Sequence, residues 1–289
     1  MTRILLFWVL GSLAIASLLA PILYSALVTW IDVFDDPYRR VFNRVAMLCG
    51  LLLLIAMRRI MGWAQAREVW SGDGSWRRRL TLLAMGASLS LVTGAAAIPI
   101  VHATSEVSTV MLGANFLVPR IAETLLLAVL VSVLEEFFFR VIVLRGLQRQ
   151  WPSAVAIVLS SLLYAFVHFL TPDRSYVYPG WSALVGFEYL GAVFERMLQP
   201  GSWTGFTGLF FVGCTLAWCM HRRRSLALCI GLHAGWVIAA KLGVWFTLPP
   251  EGANWPPGWQ RFWLLEQGWT WGVILLVGVI VGWKRPRED

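Results

Sequence analysis

Charge is what this chain has least of. Only 14% of its 289 residues are Asp, Glu, Lys or Arg, where a soluble domain carries about 25%. That shortage excludes a water-soluble globule. Cysteine is scarce too: Cys49, Cys214, Cys219 and Cys229 lie in or beside apolar stretches, with no CxxC pair and no metal-ligand spacing. They read as small buried packing residues, not as a disulfide frame. No internal repeat is visible, and no connection has room for a soluble domain. The net charge of +8 does not imply nucleic acid as a partner. The basic residues sit in short clusters between apolar stretches, where they act as topology signals and attract anionic lipid.

Apolar length is what is present. The chain is 58% hydrophobic, in blocks that reach the roughly 20 residues a membrane-crossing helix needs. Eight spans are predicted, at about 4–30, 42–62, 79–101, 120–148, 152–171, 203–220, 224–247 and 268–284. The expected fold is all-α: one polytopic membrane bundle over residues 1–289, with N-terminal helices to about 101, a central section over about 120–245, and a C-terminal cap and last helix from about 246. The first span runs on to Trp30, well beyond the roughly 7–15 apolar residues of a cleaved signal, so it reads as an anchor. Many of the 17 tryptophans, among them Trp30, Trp63, Trp151, Trp203, Trp269 and Trp283, fall near span ends, where indole rings favour the headgroup level.

Charge placement gives the orientation. With eight spans, 16 of the 24 Lys and Arg residues fall on the face that holds both termini, and seven on the other. The positive-inside rule then puts both termini in the cytoplasm, in an inner (plasma) membrane of bacterial type. Two stretches are more than loops. Residues 172–202 mix aromatics with Glu188, Glu195 and Arg196 and predict an interfacial helix on the outer side; residues 246–267, rich in Pro, Trp and Gly, predict an ordered cap.

Ionisable groups inside the spans carry the functional signal. At mid-bilayer each costs at least ~2.5–3.5 kcal/mol on insertion scales, so such a group faces the bundle interior and has a partner. Glu135, Glu136 and Arg140 share the fourth span, His168 lies in the fifth and His233 in the seventh. Glu136 and Arg140, four apart, stack on one helix face as an ion pair. Glu135 points about 100° away, which leaves it to face another helix. His102, His221 and Lys241 lie near span ends and read as interfacial or snorkelling residues.

Depth supports a meeting. Glu135 lies 14 residues before Arg149 and His168 lies 16 beyond Pro152, so across a turn at Trp151-Pro152 both sit ~21–24 Å in at ~1.5 Å per residue. His233 comes out shallower, at ~14 Å, a gap that tilt or a buried start of its helix would close. A buried carboxylate and an imidazole sharing one water form a general acid/base pair, and a second imidazole can donate to an oxyanion. Alternatively Glu135, His168 and His233 would bind a divalent metal such as zinc, which would then activate the water. The residues also allow two other classes: a scaffold or immunity-type protein without catalysis, and a proton-coupled transporter, for which the paired broken helices are lacking.

The same residues resemble the signature of the CPBP family, the CAAX-prenyl endopeptidases and bacteriocin-processing (Abi) intramembrane proteases: EExxxR, then FxxxH, then HxxxN or HxxxD on separate helices. Here they read Glu135-Glu136-Phe137-Phe138-Phe139-Arg140, Tyr164-Ala165-Phe166-Val167-His168 and His233-Ala234-Gly235-Trp236-Val237. Tyr164 stands where the pattern has Phe, and Val237 where it has Asn or Asp. The resemblance covers about residues 120–245. It implies an eight-helix intramembrane endopeptidase in which Glu135 and His168 activate water, His233 binds the oxyanion, and Glu136 and Arg140 support the site. Its substrate would be a peptide or protein, prenylated in the namesake case, reaching the site from the bilayer. Metal-free chemistry is the favoured reading, with no cofactor. Val237 cannot bond an oxyanion, which is what keeps the scaffold alternative open.

Overall fold

A computed structural model describes residues 2–31, 37–56, 74–104, 108–109, 114–170, 176–248 and 264–283. In chain order these form α1 (Thr2–Ile31), α2 (Pro37–Ala56), α3 (Trp76–Thr104), β1 (Ser108–Thr109), α4 (Ala114–Glu136), a π-helix (Phe137–Leu144), α5 (Arg145–Gln148), α6 (Ser153–His168), α7 (Val185–Leu198), α8 (Pro200–Arg223), α9 (Leu226–Trp245), β2 (Thr247–Leu248) and α10 (Gly268–Trp283). The fold is an all-α polytopic membrane bundle, and each of the eight predicted spans is mostly helix over its described residues. Among the described residues, four stretches are by themselves long and apolar enough to cross a bilayer: Arg3–Val28, Trp76–Ala103, Gly201–Arg223 and Leu226–Trp245. Large apolar side chains such as Leu10, Leu52, Leu126 and Ile280 are exposed; in water they would form a sticky patch, whereas lipid is their natural surrounding.

Local chemistry sets the helix ends. Ser225 caps α9 by accepting a hydrogen bond from the Leu228 N–H at 3.1 Å, and Arg224 before it turns the chain with φ 51°. Pro152 breaks the run after α5, and α6 starts at the next residue. The π-helix follows Glu136 directly, without an intervening loop.

The chain divides into two compact units, Met1–Gly62 with Phe166–Trp203, and Trp63–Ala165 with Thr204–Asp289. In the first, α1, α2 and α7 enclose a core of Ala16, Ala20, Tyr24, Tyr38, Phe42, Val45, Cys49, Val185, Tyr189 and Val193. Val185, Tyr189 and Val193 recur every four residues, giving α7 one buried face, while Phe187, Phe194 and Leu198 are exposed. Of residues 172–202, Val185–Leu198 are thus helical, as α7. Gly186 lets α7 lie directly on the Ser17 backbone, where any Cβ would collide.

The second unit is organised by α3 and α9. Gly86, Ser90 and Gly94 on α3 meet Gly231, Gly235 and Ala239 on α9, each set spaced by four. A Cβ on Gly231 would strike the Leu83 carbonyl, and one on Gly235 the Ser90 hydroxyl and the Ala87 carbonyl. This is small-xxx-small packing, in which backbones approach until van der Waals and polar contacts replace the missing hydrophobic drive. Ser161 of α6 packs on Gly213 of α8, and α10 lies on α8 through Thr215, whose hydroxyl donates to the Ile274 carbonyl at 3.1 Å.

Most of the expected cap, 249–263, lies outside the described residues. Its edges are tied down: β2 pairs antiparallel with β1, and the His102 ring bonds the Thr247 hydroxyl at 2.7 Å. All four cysteines are free, and Cys49, Cys219 and Cys229 are buried.

Candidate active site

The glycine seam aims the site. Residues 231 and 235 face α3, and residue 233, two steps of about 100° from each, points from the opposite side of α9. His233 is 3% exposed there, and its ring meets the end of α4. Nδ1 lies 2.9 Å from Glu136 Oε1, and Nε2 lies 3.9 Å from Glu135 Oε2. The other oxygen of Glu136 accepts from Arg140 Nε at 2.8 Å. Glu136 and Arg140 are both wholly buried, whereas the Glu135 side chain is 27% exposed.

A carboxylate held by a guanidinium can only accept, so Nδ1 is the nitrogen that carries hydrogen toward Glu136. The Glu136–His233 bond therefore fixes both ring orientation and tautomer, and turns Nε2 toward Glu135. Tyr164 of α6 completes the surroundings. It is 2% exposed, and its hydroxyl is 3.5 Å from His233 Nε2. The ring packs edge-on against Phe139 at 5.0 Å, with the Arg140 guanidinium 5.4 Å from its centroid. The π-helix carries Phe139 and Arg140 into these contacts; such widened turns are frequent at functional sites.

The predicted residues are thus distributed as follows. Glu135, Glu136, Arg140 and His233 converge in the second unit, and the Glu136–Arg140 ion pair is present. His168, half-buried, is the last residue of α6 and falls in the first unit. Glu135 faces His233 on α9, and Glu136, besides its tie to Arg140, addresses the same imidazole. The start of α9 is buried, with Ser225 and Leu226 each 3% exposed, and from it His233 comes within 3.9 Å of Glu135.

Sequence reasoning passed over the Tyr164 hydroxyl as a mild change from Phe; a phenol in the middle of an apolar span was the signal. Val237, one turn beyond His233, is half-buried. His221, by contrast, bonds Gln148 at 3.2 Å and takes no part. Among the described residues, no group of three or more His, Cys, Asp or Glu side chains is arranged as a metal site.

Comparison with known proteins bears on the same segment. Searches among curated proteins and among solved structures gave no match. Residues 117–239, which contain every side chain of this cluster and His168, match the family described as type II CAAX prenyl endopeptidase Rce1-like. Over that segment the chain is similar to the Rce1-like family of CAAX-type membrane proteases.

Proposed function

We propose that this chain is an intramembrane endopeptidase that hydrolyses a peptide bond of a membrane-associated or lipidated peptide, using water activated by Glu135 and His168. The observation that carries the reading is the His233 ring set between two carboxylates. Glu136 has a counter-ion and a hydrogen bond within the helix pair. Packing gives no reason for a second acid beside it, and a carboxylate in an apolar span is costly enough to mark function. Glu135 is also the partly exposed one, as a group that must meet water and substrate has to be.

The steps balance without a metal. Glu135 takes a proton from water as its oxygen attacks the carbonyl carbon, and the carbonyl electrons move onto oxygen. Collapse of the tetrahedral intermediate breaks the C–N bond, and Glu135 returns the proton to the leaving nitrogen. His233 faces the oxyanion, and Glu136 and Arg140 hold His233. The part given to His168 rests on the sequence pattern. The peptide reaches the site from the bilayer, with both chain termini on the cytoplasmic side, as the basic clusters indicate.

The test is a quenched fluorogenic peptide ending in a farnesylated CAAX sequence, offered to purified protein in nanodiscs. Glu135→Gln should lower kcat by about 10²–10⁴-fold with an unchanged melting temperature. Equal turnover by wild type and variant would sink the proposal. Val237 favours a second reading, a binding scaffold of the same fold; peptide binding without cleavage, alike in wild type and Glu135→Gln, would decide for it.

A further inference from the structure

An oxyanion needs donors that are in place before charge develops, and worth about 10²–10³ in kcat each. The sequence pattern has an amide or acid at residue 237, one turn beyond His233 on the same face of α9, where this chain has valine. Valine offers no donor. His233 alone is poorly suited to the task, because its Nδ1 hydrogen is committed to Glu136; in the neutral ring Nε2 then carries a lone pair, not a hydrogen.

A donor stands on the neighbouring helix. The Tyr164 hydroxyl is 3.5 Å from Nε2, a distance long for a bond but short enough that both atoms face one spot. That spot also adjoins Glu135 Oε2, 3.9 Å from the same nitrogen. The hydroxyl is not a mobile group reaching in. Its ring is clamped by Phe139 and by the Arg140 guanidinium, and the side chain is 2% exposed. Preorganisation of this kind is what makes a donor effective, since no heavy atom has to move when the charge appears.

We propose that Tyr164 is a catalytic residue of this chain: its hydroxyl donates to the oxyanion of the tetrahedral intermediate, taking from α6 the part that residue 237 cannot play from α9. At rest the hydroxyl oxygen stands 3.5 Å from Nε2. As the carbonyl carbon is attacked, the ring and the hydroxyl oxygen stay in place and only the hydroxyl hydrogen turns to the new oxyanion; no covalent bond to Tyr164 forms or breaks. The two departures from the pattern, Phe to Tyr at 164 and Asn or Asp to Val at 237, become one compensated change.

The proposal rests on the endopeptidase reading, and the experiment separates the two. Wild type, Glu135→Gln, Tyr164→Phe and the double variant Tyr164→Phe/Val237→Asn are assayed in nanodiscs on the farnesylated peptide. Tyr164→Phe keeps the ring and its packing, so its melting temperature should stay within a few degrees of wild type. Its kcat should fall about 10²–10³-fold with KM unchanged, and Val237→Asn should restore at least about tenfold of that loss by supplying a donor from α9. A structural role for Tyr164 would not be rescued from another helix. Wild-type kcat in Tyr164→Phe, alongside a dead Glu135→Gln, overturns this assignment and leaves the endopeptidase standing; a loss that Val237→Asn does not relieve also overturns it. Wild-type protein that turns over no peptide removes both.

Discussion

The two units of this protein hold their helices together in opposite ways. In the first, bulky rings fill the space: Tyr38 stacks on Tyr178 at 4.6 Å and meets Tyr24 and Tyr189 edge-on. The Tyr189 hydroxyl donates to the Asn43 side chain at 3.4 Å. In the second, α3 and α9 have almost nothing between them; glycines and one serine bring backbone against backbone. Lipid tails are as apolar as leucine, so neither contact is driven by escape from water. Large rings gain dispersion from many atom pairs, while glycines gain it by removing the spacer. The first arrangement has side-chain torsions that can adjust. The second has none.

That contrast can be broken by experiment, and the largest effect should come from the seam. Gly235→Leu places a side chain where even a Cβ meets the Ser90 hydroxyl and the Ala87 carbonyl. Overpacking against main chain cannot be relieved by a rotamer, so a loss above about 3 kcal/mol is expected, read as unfolding in a denaturing-detergent titration. Tyr189→Ala, a deletion instead of an insertion, should cost about 2–3 kcal/mol, because the surrounding rings can partly close the gap. If the two rank the other way, the seam is softer than its geometry implies. The smallest change sharpens the comparison. Ser90→Ala keeps the close approach and removes only a hydroxyl that bonds the Gly86 carbonyl at 2.8 Å and reaches the Gly231 carbonyl at 3.5 Å. About 0.6 kcal/mol or less should be lost, and peptide cleavage should be retained.

Much of this architecture was legible in sequence, because membrane spans announce themselves by length. The interior ionisable residues were equally plain, since Glu135, Glu136, Arg140 and His233 have no reason to be in apolar helices unless they face one another. Contacts made by spacing alone were harder to read. Gly86, Ser90 and Gly94 show nothing singly, and Gly231 with Gly235 form a small-xxx-small pair that tells which side of α9 is occupied only once its partner helix is known. The π-helix from Phe137 to Leu144 has no composition of its own: apolar residues suit either winding, and the choice is made by packing. The meeting of His233 with Glu136 was less plain, because the i,i+4 spacing accounts for Glu136 through Arg140 alone and gives no sign of a second partner on α9.

The glycine seam also decides where the site can yield. His233 is placed through main chain lying on main chain, and Glu136 and Arg140 are sealed beside it without exposed surface. Whatever accommodation an arriving peptide demands must therefore be made by Glu135, the partly exposed acid. An inhibitor designed for this pocket would do better to capture the movable carboxylate than to compete for a ring that has nowhere to go.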